Sequence, residues 1–269
     1  MGIKNTLLSF ARRAGFMHWV EKLHFTYHKL KARRQNKKFI YSHPNLPLPP
    51  HYMLYESYRI NYEMYFTDGY NTAKWILSQL KRYIHFDKAN ILDWGCGPAR
   101  VVRHLPQLLK DTATSVYGTD YNEQTIDWCK KNISGVSFNL NAIHPPLNYA
   151  DSFFDIVYGI SIFTHLSLEN HNSWMDELHR ITKPGGIILL TTQGQASKIK
   201  LSEKEKKLFD AGHLVIRSNE KEGHRIFSAF QPPPFMKKIF SEKWQTLKHT
   251  EGGIQNGEPQ QDTWIIQKV

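Results

Sequence analysis

The sequence predicts an α/β fold: a parallel sheet covered by helices on both faces, preceded by a helical N-terminal extension. Three observations carry that expectation. From residue 71 onward, short apolar runs alternate with segments of helical periodicity. The first such run, Ile91-Leu92-Asp93-Trp94, ends in the glycine turn Gly95-Cys96-Gly97. The second ends in a carboxylate, Asp120, 23 residues after Gly97.

The elements follow in chain order. Residues 3–30 interleave apolar and basic side chains, and Phe16, Val20, Leu23, Tyr27 and Leu30 fall near helical spacing. This predicts a basic amphipathic helix with a break near Gly15. Pro44, Pro47, Pro49 and Pro50 make a stiff, extended connector. The aromatics of residues 52–70 suit either the core of a cap or a lid over an acceptor. The expected organisation is an extension over 1–43, a proline-rich connector and cap over 44–70, and a main domain over 71–269.

Within that domain Ala73, Ile76, Leu80 and Ile84 mark a helix, and Ile91–Trp94 is a short strand. Pro98 is placed to open the next helix, where a missing N–H costs nothing, with Val101, Leu105 and Leu108 as its buried stripe. Ser115–Thr119 is a strand, and Asn122 caps a helix that buries Ile126, Cys129 and Ile133. Val136–Leu140 and Phe153–Ile160 are the third and fourth strands, the latter apolar enough to be covered on both faces. Ser167 caps a helix carrying Trp174, Leu178 and Ile181, which Lys183-Pro184-Gly185-Gly186 stops. Ile187–Thr192 is the fifth strand. Ser202 with Glu205 forms a capping box, and Pro232-Pro233-Pro234 precedes another short helix. Trp244–Thr250 and Thr263–Gln267 are closing strands joined through Gly252-Gly253.

Composition limits the function classes. The 269 residues, 41% hydrophobic, suffice for one large domain with an extension. No uninterrupted apolar run approaches the roughly 18 residues of a membrane span, and no signal-peptide pattern stands out. Two cysteines, Cys96 and Cys129, without a CxxC spacing, predict neither a disulfide framework nor a metal cluster. A reducing cytoplasm is the simplest compartment. Residues 1–40 carry ten Lys or Arg against one acid, Glu21, so nine of the eleven net positive charges sit there. The extension therefore suits peripheral contact with an anionic inner-membrane surface, RNA, or plain packing with a solvated basic face. Nucleic-acid binding by the nearly neutral remainder is disfavoured.

The glycine turn lets a ligand approach the main chain at the carboxyl end of a strand. A dinucleotide fingerprint would need a third glycine where Arg100 stands. Asp93, two residues before Gly95, suits a ligand with a cationic amino-acid end. Asp120 can accept both hydroxyls of an adenosine ribose, or simply favour the start of the next helix.

Together, Ile91–Arg100, Gly118–Asp120, Phe138–Leu147, Asp151–Leu166 and Leu178–Thr192 resemble the class I S-adenosylmethionine-dependent methyltransferase family over roughly residues 85–195. The resemblance implies a Rossmann-like class I methyltransferase fold, with a seven-stranded mostly parallel sheet, and S-adenosyl-L-methionine as cofactor. Carried over by position, Gly95 and Gly97 line the methionine part and Asp93 faces its amino group. Asp120 holds the ribose with Tyr121 beside it. Asn141 stands where relatives often place an Asp near the adenine amine, followed by Ala142, and Ser161 lies after the fourth strand. Ala99 replaces a glycine common among relatives. Gly159–Leu166, Thr191–Gly194 and Glu251–Gly253 with Gln261-Asp262 resemble a bacterial subgroup associated with surface-glycan pathways. The implied activity is methyl transfer to a small-molecule or glycan acceptor, through a hydroxyl. His165 is then the first candidate general base, ahead of Tyr158 and His144, and no metal is needed. An RNA or protein methyltransferase gripping its substrate through the basic arm is the alternative enzyme. A methyltransferase-like scaffold without catalysis is the non-enzymatic one.

Overall fold

A computed structural model of the chain describes residues 17–217 and 222–269. The helix start expected over residues 3–16, with its break near Gly15, lies outside the described residues. The chain divides into two compact units, Met1–Asp68 and Gly69–Val269.

The first unit contains helices α1 (Met17–Ser42) and α2 (His51–Ser57) and the opening turns of α3 (Tyr62–Leu80). Helix α3 begins well before Ala73 because Asn61 caps it: the Asn61 Oδ1 accepts the Met64 N–H at 2.8 Å. Asn36 from α1 accepts a second free amide of that end, Tyr62 N–H, at 2.9 Å. Phe39, Leu54, Tyr62 and Tyr65 form a small core of this unit, so several of the aromatics after the proline connector are packing residues.

The second unit is built on a seven-stranded sheet. Its parallel strands are β1 (Asn90–Trp94), β2 (Ser115–Asp120), β3 (Ser137–Leu140), β4 (Phe154–Gly159) and β5 (Thr182–Thr192). A short hairpin of β6 (Val215–Arg217) and β7 (Ser228–Phe230) follows, and then β8 (Trp244–Thr250). The two-residue strands β9 (Ile254–Gln255) and β10 (Glu258–Pro259) lead into β11 (Asp262–Lys268). The main sheet runs β3-β2-β1-β4-β5-β11-β8, with β11 antiparallel to both neighbours. The fold is the one expected, seven strands with one reversed. From β1 the chain winds out to β2 and β3, then returns to β4 on the other side. The carboxyl ends of β1 and β4 are therefore a topological switch point, where open α/β sheets bind ligands.

Alternation of side chains fills both faces. Ile91, Ile156, Ile187, Leu189 and Ile265 pack into one layer. Leu92, Val157, Ile188, Leu190 and Trp264 pack into the other. Helices α4 (Leu105–Leu108), α5 (Glu123–Asn132), α6 (Leu168–Ile181), α7 (Glu203–Asp210) and α8 (Pro233–Phe240) complete the unit. The expected caps form: Asn122 accepts from Thr125 N–H, Ser167 from Asn170 N–H, and Ser202 with Glu205 makes a capping box.

Two local expectations fail. Pro98 opens no helix, because Ala99 takes φ +59, a left-handed conformation that an α-helix cannot contain. Turns and a 3-10 segment, Val102–His104, precede the short α4. The Lys183–Gly186 stretch does not separate α6 from the strand. It bulges within β5, which pairs Thr182 with Phe154 and resumes at Ile187 opposite Ile156. No helix among the described residues is long and apolar enough to cross a membrane. Truncating the fully buried Leu190, on a strand flanked on both sides, is expected to cost about 2–5 kcal/mol. A urea-denaturation midpoint for Leu190→Ala equal to that of the native chain would contradict this assignment of the core.

Candidate active site

The turn after β1 is fixed by a shared acceptor. The N–H groups of Gly95 and Cys96 both donate to the Thr119 carbonyl, at 2.9 and 2.8 Å. Gly95 has φ +76, and a Cβ there would stand 2.1 Å from Ile162 Cδ1. Only glycine satisfies both demands. The Gly97 N–H then donates to Asp120 Oδ2 at 3.0 Å, and the Asn122 N–H to Asp120 Oδ1 at 2.9 Å. Burial pushes the Asp120 carboxyl above its ordinary range, and the amides of Asn122, Gly97 and Tyr121 oppose it.

Beyond this turn lies an open cleft of about 440 Å³, its solvent-facing mouth included. Of the residues expected to hold a cofactor or act on the acceptor, Gly95, Asp120, Tyr121, Asn141, Ala142 and His165 line it. Asn141 donates its side-chain N–H to the Ala142 carbonyl at 2.7 Å, while its Oδ1 is buried with no partner. A buried acceptor of that kind is costly unless a donor reaches it.

The structure does not bring Asp93, Gly97 or Ser161 to the cleft wall. Asp93 is buried behind the turn, where desolvation lifts its carboxyl to about 7; the neighbouring Tyr158 hydroxyl and the Arg100 charge partly offset that rise. Gly97 acts through its amide on Asp120. Ser161, at φ +67, donates its hydroxyl to Gln261 Oε1 at 2.8 Å and its N–H to Thr191 Oγ1 at 2.8 Å. Its polar atoms are thus committed to the β5 and β11 ends. The secondary base candidates also lie elsewhere: Tyr158 is fully buried, and the His144 Nδ1 pairs with Asn170 Oδ1 at 2.8 Å.

His165 ends the 3-10 segment Phe163–His165 after β4. Its Nδ1 lies 2.9 Å from the Phe227 carbonyl. A carbonyl only accepts, so Nδ1 carries the proton and Nε2 the lone pair. Burial lowers the His165 pKa below its ordinary 6.5, the Phe227 bond opposes this, and the electrostatic influence of the neighbouring His224 and Arg225 adds to the lowering. The ring is neutral at neutral pH.

Residues that sequence reasoning missed complete the cleft: Trp94, Ile143, Ile162, Leu166, Trp174 and Gly223. Gly223 belongs to a loop far along the chain. Its N–H donates to the His165 carbonyl at 2.9 Å, and its own carbonyl accepts from the Tyr121 hydroxyl at 3.1 Å. Next to it the Glu222 carboxylate accepts the Ser167 N–H. The sequence signal was a single glycine in a charged stretch, and Gly223 indeed has φ +82.

Comparison with known proteins agrees with this architecture. A family profile described as "Methyltransferase domain" matches residues 92–190. Among curated proteins, a tRNA N(3)-methylcytidine methyltransferase of Schizosaccharomyces pombe is 22% identical over 154 residues, 53% of this chain and 50% of that protein. A tRNA N(3)-cytidine methyltransferase of Gallus gallus is 28% identical over 132 residues, 46% of this chain and 36% of that protein. The chain thus matches half or less of the length of each. Among solved structures, an S-adenosylmethionine-dependent methyltransferase of Methanosarcina mazei superposes with TM-score 0.54 at 20% identity, covering 71% of this chain and 97% of that one. Magnesium protoporphyrin IX methyltransferase of Synechocystis, solved with bound S-adenosylhomocysteine, superposes with TM-score 0.54 at 13% identity, covering 77% and 87%. Residues 92–190 thus match a methyltransferase domain, and the sheet order is that of the class I S-adenosylmethionine-dependent methyltransferase fold.

Proposed function

We propose that the protein transfers the methyl group of S-adenosyl-L-methionine to an acceptor nucleophile held near His165. The observation that carries this reading is the pairing of Asp120 with Asn141 on the cleft wall. The Gly97 and Asn122 amides bond different Asp120 oxygens, and the Tyr121 amide also acts on the carboxylate. An ionised carboxylate accepts about four hydrogen bonds, so acceptor capacity remains for a ribose hydroxyl. The partnerless Asn141 Oδ1 accepts from an adenine amine. Gly95, without a side chain, lets the methionine portion approach the main chain. Asp93, behind the turn, acts on the cationic amino group through its charge. The bound cofactor supplies a methyl group activated on a sulfonium.

The acceptor is a hydroxyl of a small molecule or glycan in the first reading. His165 supports it, because a neutral imidazole with its lone pair on Nε2 can take the hydroxyl proton as the methyl group is captured. The second reading is RNA, favoured by the names of the two curated relatives. A ring nitrogen attacks through its own lone pair and has no proton to lose, so the two readings separate on His165.

Calorimetry with S-adenosyl-L-methionine tests the common core. Binding is expected, and its absence at about 1 mM ligand, the weak end of specific affinity, would refute an active transferase. Asp120→Ala is expected to weaken that binding by about 1–3 kcal/mol; unchanged affinity in the folded variant removes the ribose assignment. For a hydroxyl acceptor, activity rises with pH through the lowered His165 pKa and levels off by neutrality, as the imidazole loses its proton. His165→Gln should abolish that acid limb and cut kcat by about 10²–10⁴. Full activity with an intact profile would instead point to the ring nitrogen.

A further inference from the structure

We propose that the outward face of α1 docks the protein on an anionic lipid bilayer. The inward face is already committed within its own unit. Phe25 meets Tyr55 edge-on at 5.3 Å, Asn36 binds the start of α3, and Phe39 enters the small core. The opposite face is left in water with an unusual composition. Leu23, Tyr27 and Leu30, spaced i, i+4 and i+7, share one stripe and are 70%, 58% and 63% exposed. Tyr41 continues the stripe and is more exposed still. Exposed Lys31 and Lys37 flank it on either side. The Lys31 Nζ lies over the Tyr27 ring, 5.9 Å from its centroid, which sets a cation directly beside the apolar stripe.

Charge complementarity identifies the partner as anionic. Between Met17 and Ser42 there are seven Lys or Arg and one acid, Glu21. That acid is turned inward, where it accepts the Tyr55 hydroxyl at 2.8 Å. The exposed leucines decide between anionic partners. On a nucleic acid, lysines and tyrosines find phosphates and bases, but aliphatic side chains find nothing that removes them from water. At a bilayer they enter the acyl boundary while the flanking cations meet anionic headgroups. At 26 residues the helix is about 39 Å long, enough to lie in the interface plane across several headgroups.

Sedimentation of the full chain with vesicles tests this. The protein should bind phosphatidylcholine vesicles containing phosphatidylglycerol, bind phosphatidylcholine alone far less, and lose binding as salt is raised. Leu23→Glu with Leu30→Glu, both at exposed positions, should reduce binding more than about tenfold while the far-ultraviolet circular dichroism stays native. Lys31→Gln with Lys37→Gln should weaken binding to anionic vesicles and leave the weak binding to neutral ones unchanged. Equal binding to both vesicle types would overturn the proposal, as would a leucine variant that binds as tightly as the native chain. It is likewise overturned if a structured RNA binds the native chain and the leucine variant equally well while anionic vesicles bind neither.

Discussion

The Thr119 carbonyl accepts two successive amides, Gly95 and Cys96, and the site is organised around that geometry. Trp94 pairs in register with Thr119, so β1 and β2 end side by side. Folding the chain back onto the same carbonyl forces left-handed residues at 95, 97 and 99. It also presents the Gly97 amide to Asp120, the last residue of β2. On the other flank, Ile162 beyond β4 fills the space a side chain at 95 would need. Three adjacent strand ends therefore meet at one residue without a Cβ. Sheet order puts these ends together, and the shared acceptor shapes them into a binding surface.

The same compactness has an electrostatic consequence. Asp93 and Asp120 are held near one another, and both lose hydration by burial. Asp120 recovers part of that loss from oriented amides, whereas Asp93 relies on Tyr158 and Arg100 and carries the added repulsion of Asp120. Two carboxyls raised in this way favour a ligand that brings positive charge, since a nearby cation stabilises their ionised forms. A sulfonium and an amino group on one small molecule meet that condition. A pyrophosphate does not, which agrees with Arg100 standing where a dinucleotide turn needs glycine.

Much of this was legible in the sequence. The strands of the main sheet are apolar runs punctuated by Gly, Asn or Pro, and the caps at Asn122, Ser167 and Ser202 are local side-chain-to-backbone chemistry. The fate of the chain after Pro98 was not legible, because nothing local marks Ala99 as left-handed; the closed turn imposes it. The start of α3 was missed although Tyr62 and Tyr65 continue the stripe of Ala73, Ile76 and Leu80, because its first turns pack into a separate core. In the site, Asp120 was readable as the last residue of β2 and Asn141 as the first residue past β3. Ser161 was readable by position only, since its hydroxyl is taken by Gln261, a partner 100 residues away.

On the proposed reading, the cofactor side and the acceptor side of the cleft differ in what they depend on. The cofactor side comes from consecutive strand ends, and its contacts close over short stretches of chain. The acceptor side is assembled across distance. The proton on His165 Nδ1 is fixed by Phe227, 62 residues later, and the loop that carries Phe227 also ties Gly223 to His165 and Tyr121. The lone pair on Nε2 is thus a property of that loop as much as of the histidine. Removing the Phe227 carbonyl from reach would free the ring to change tautomer while leaving the Thr119 and Asp120 contacts intact. On the proposed reading, the Phe227 contact sets the acceptor side apart from the Thr119 and Asp120 contacts, whereas Gly223 of the same loop also bonds Tyr121 on the donor side.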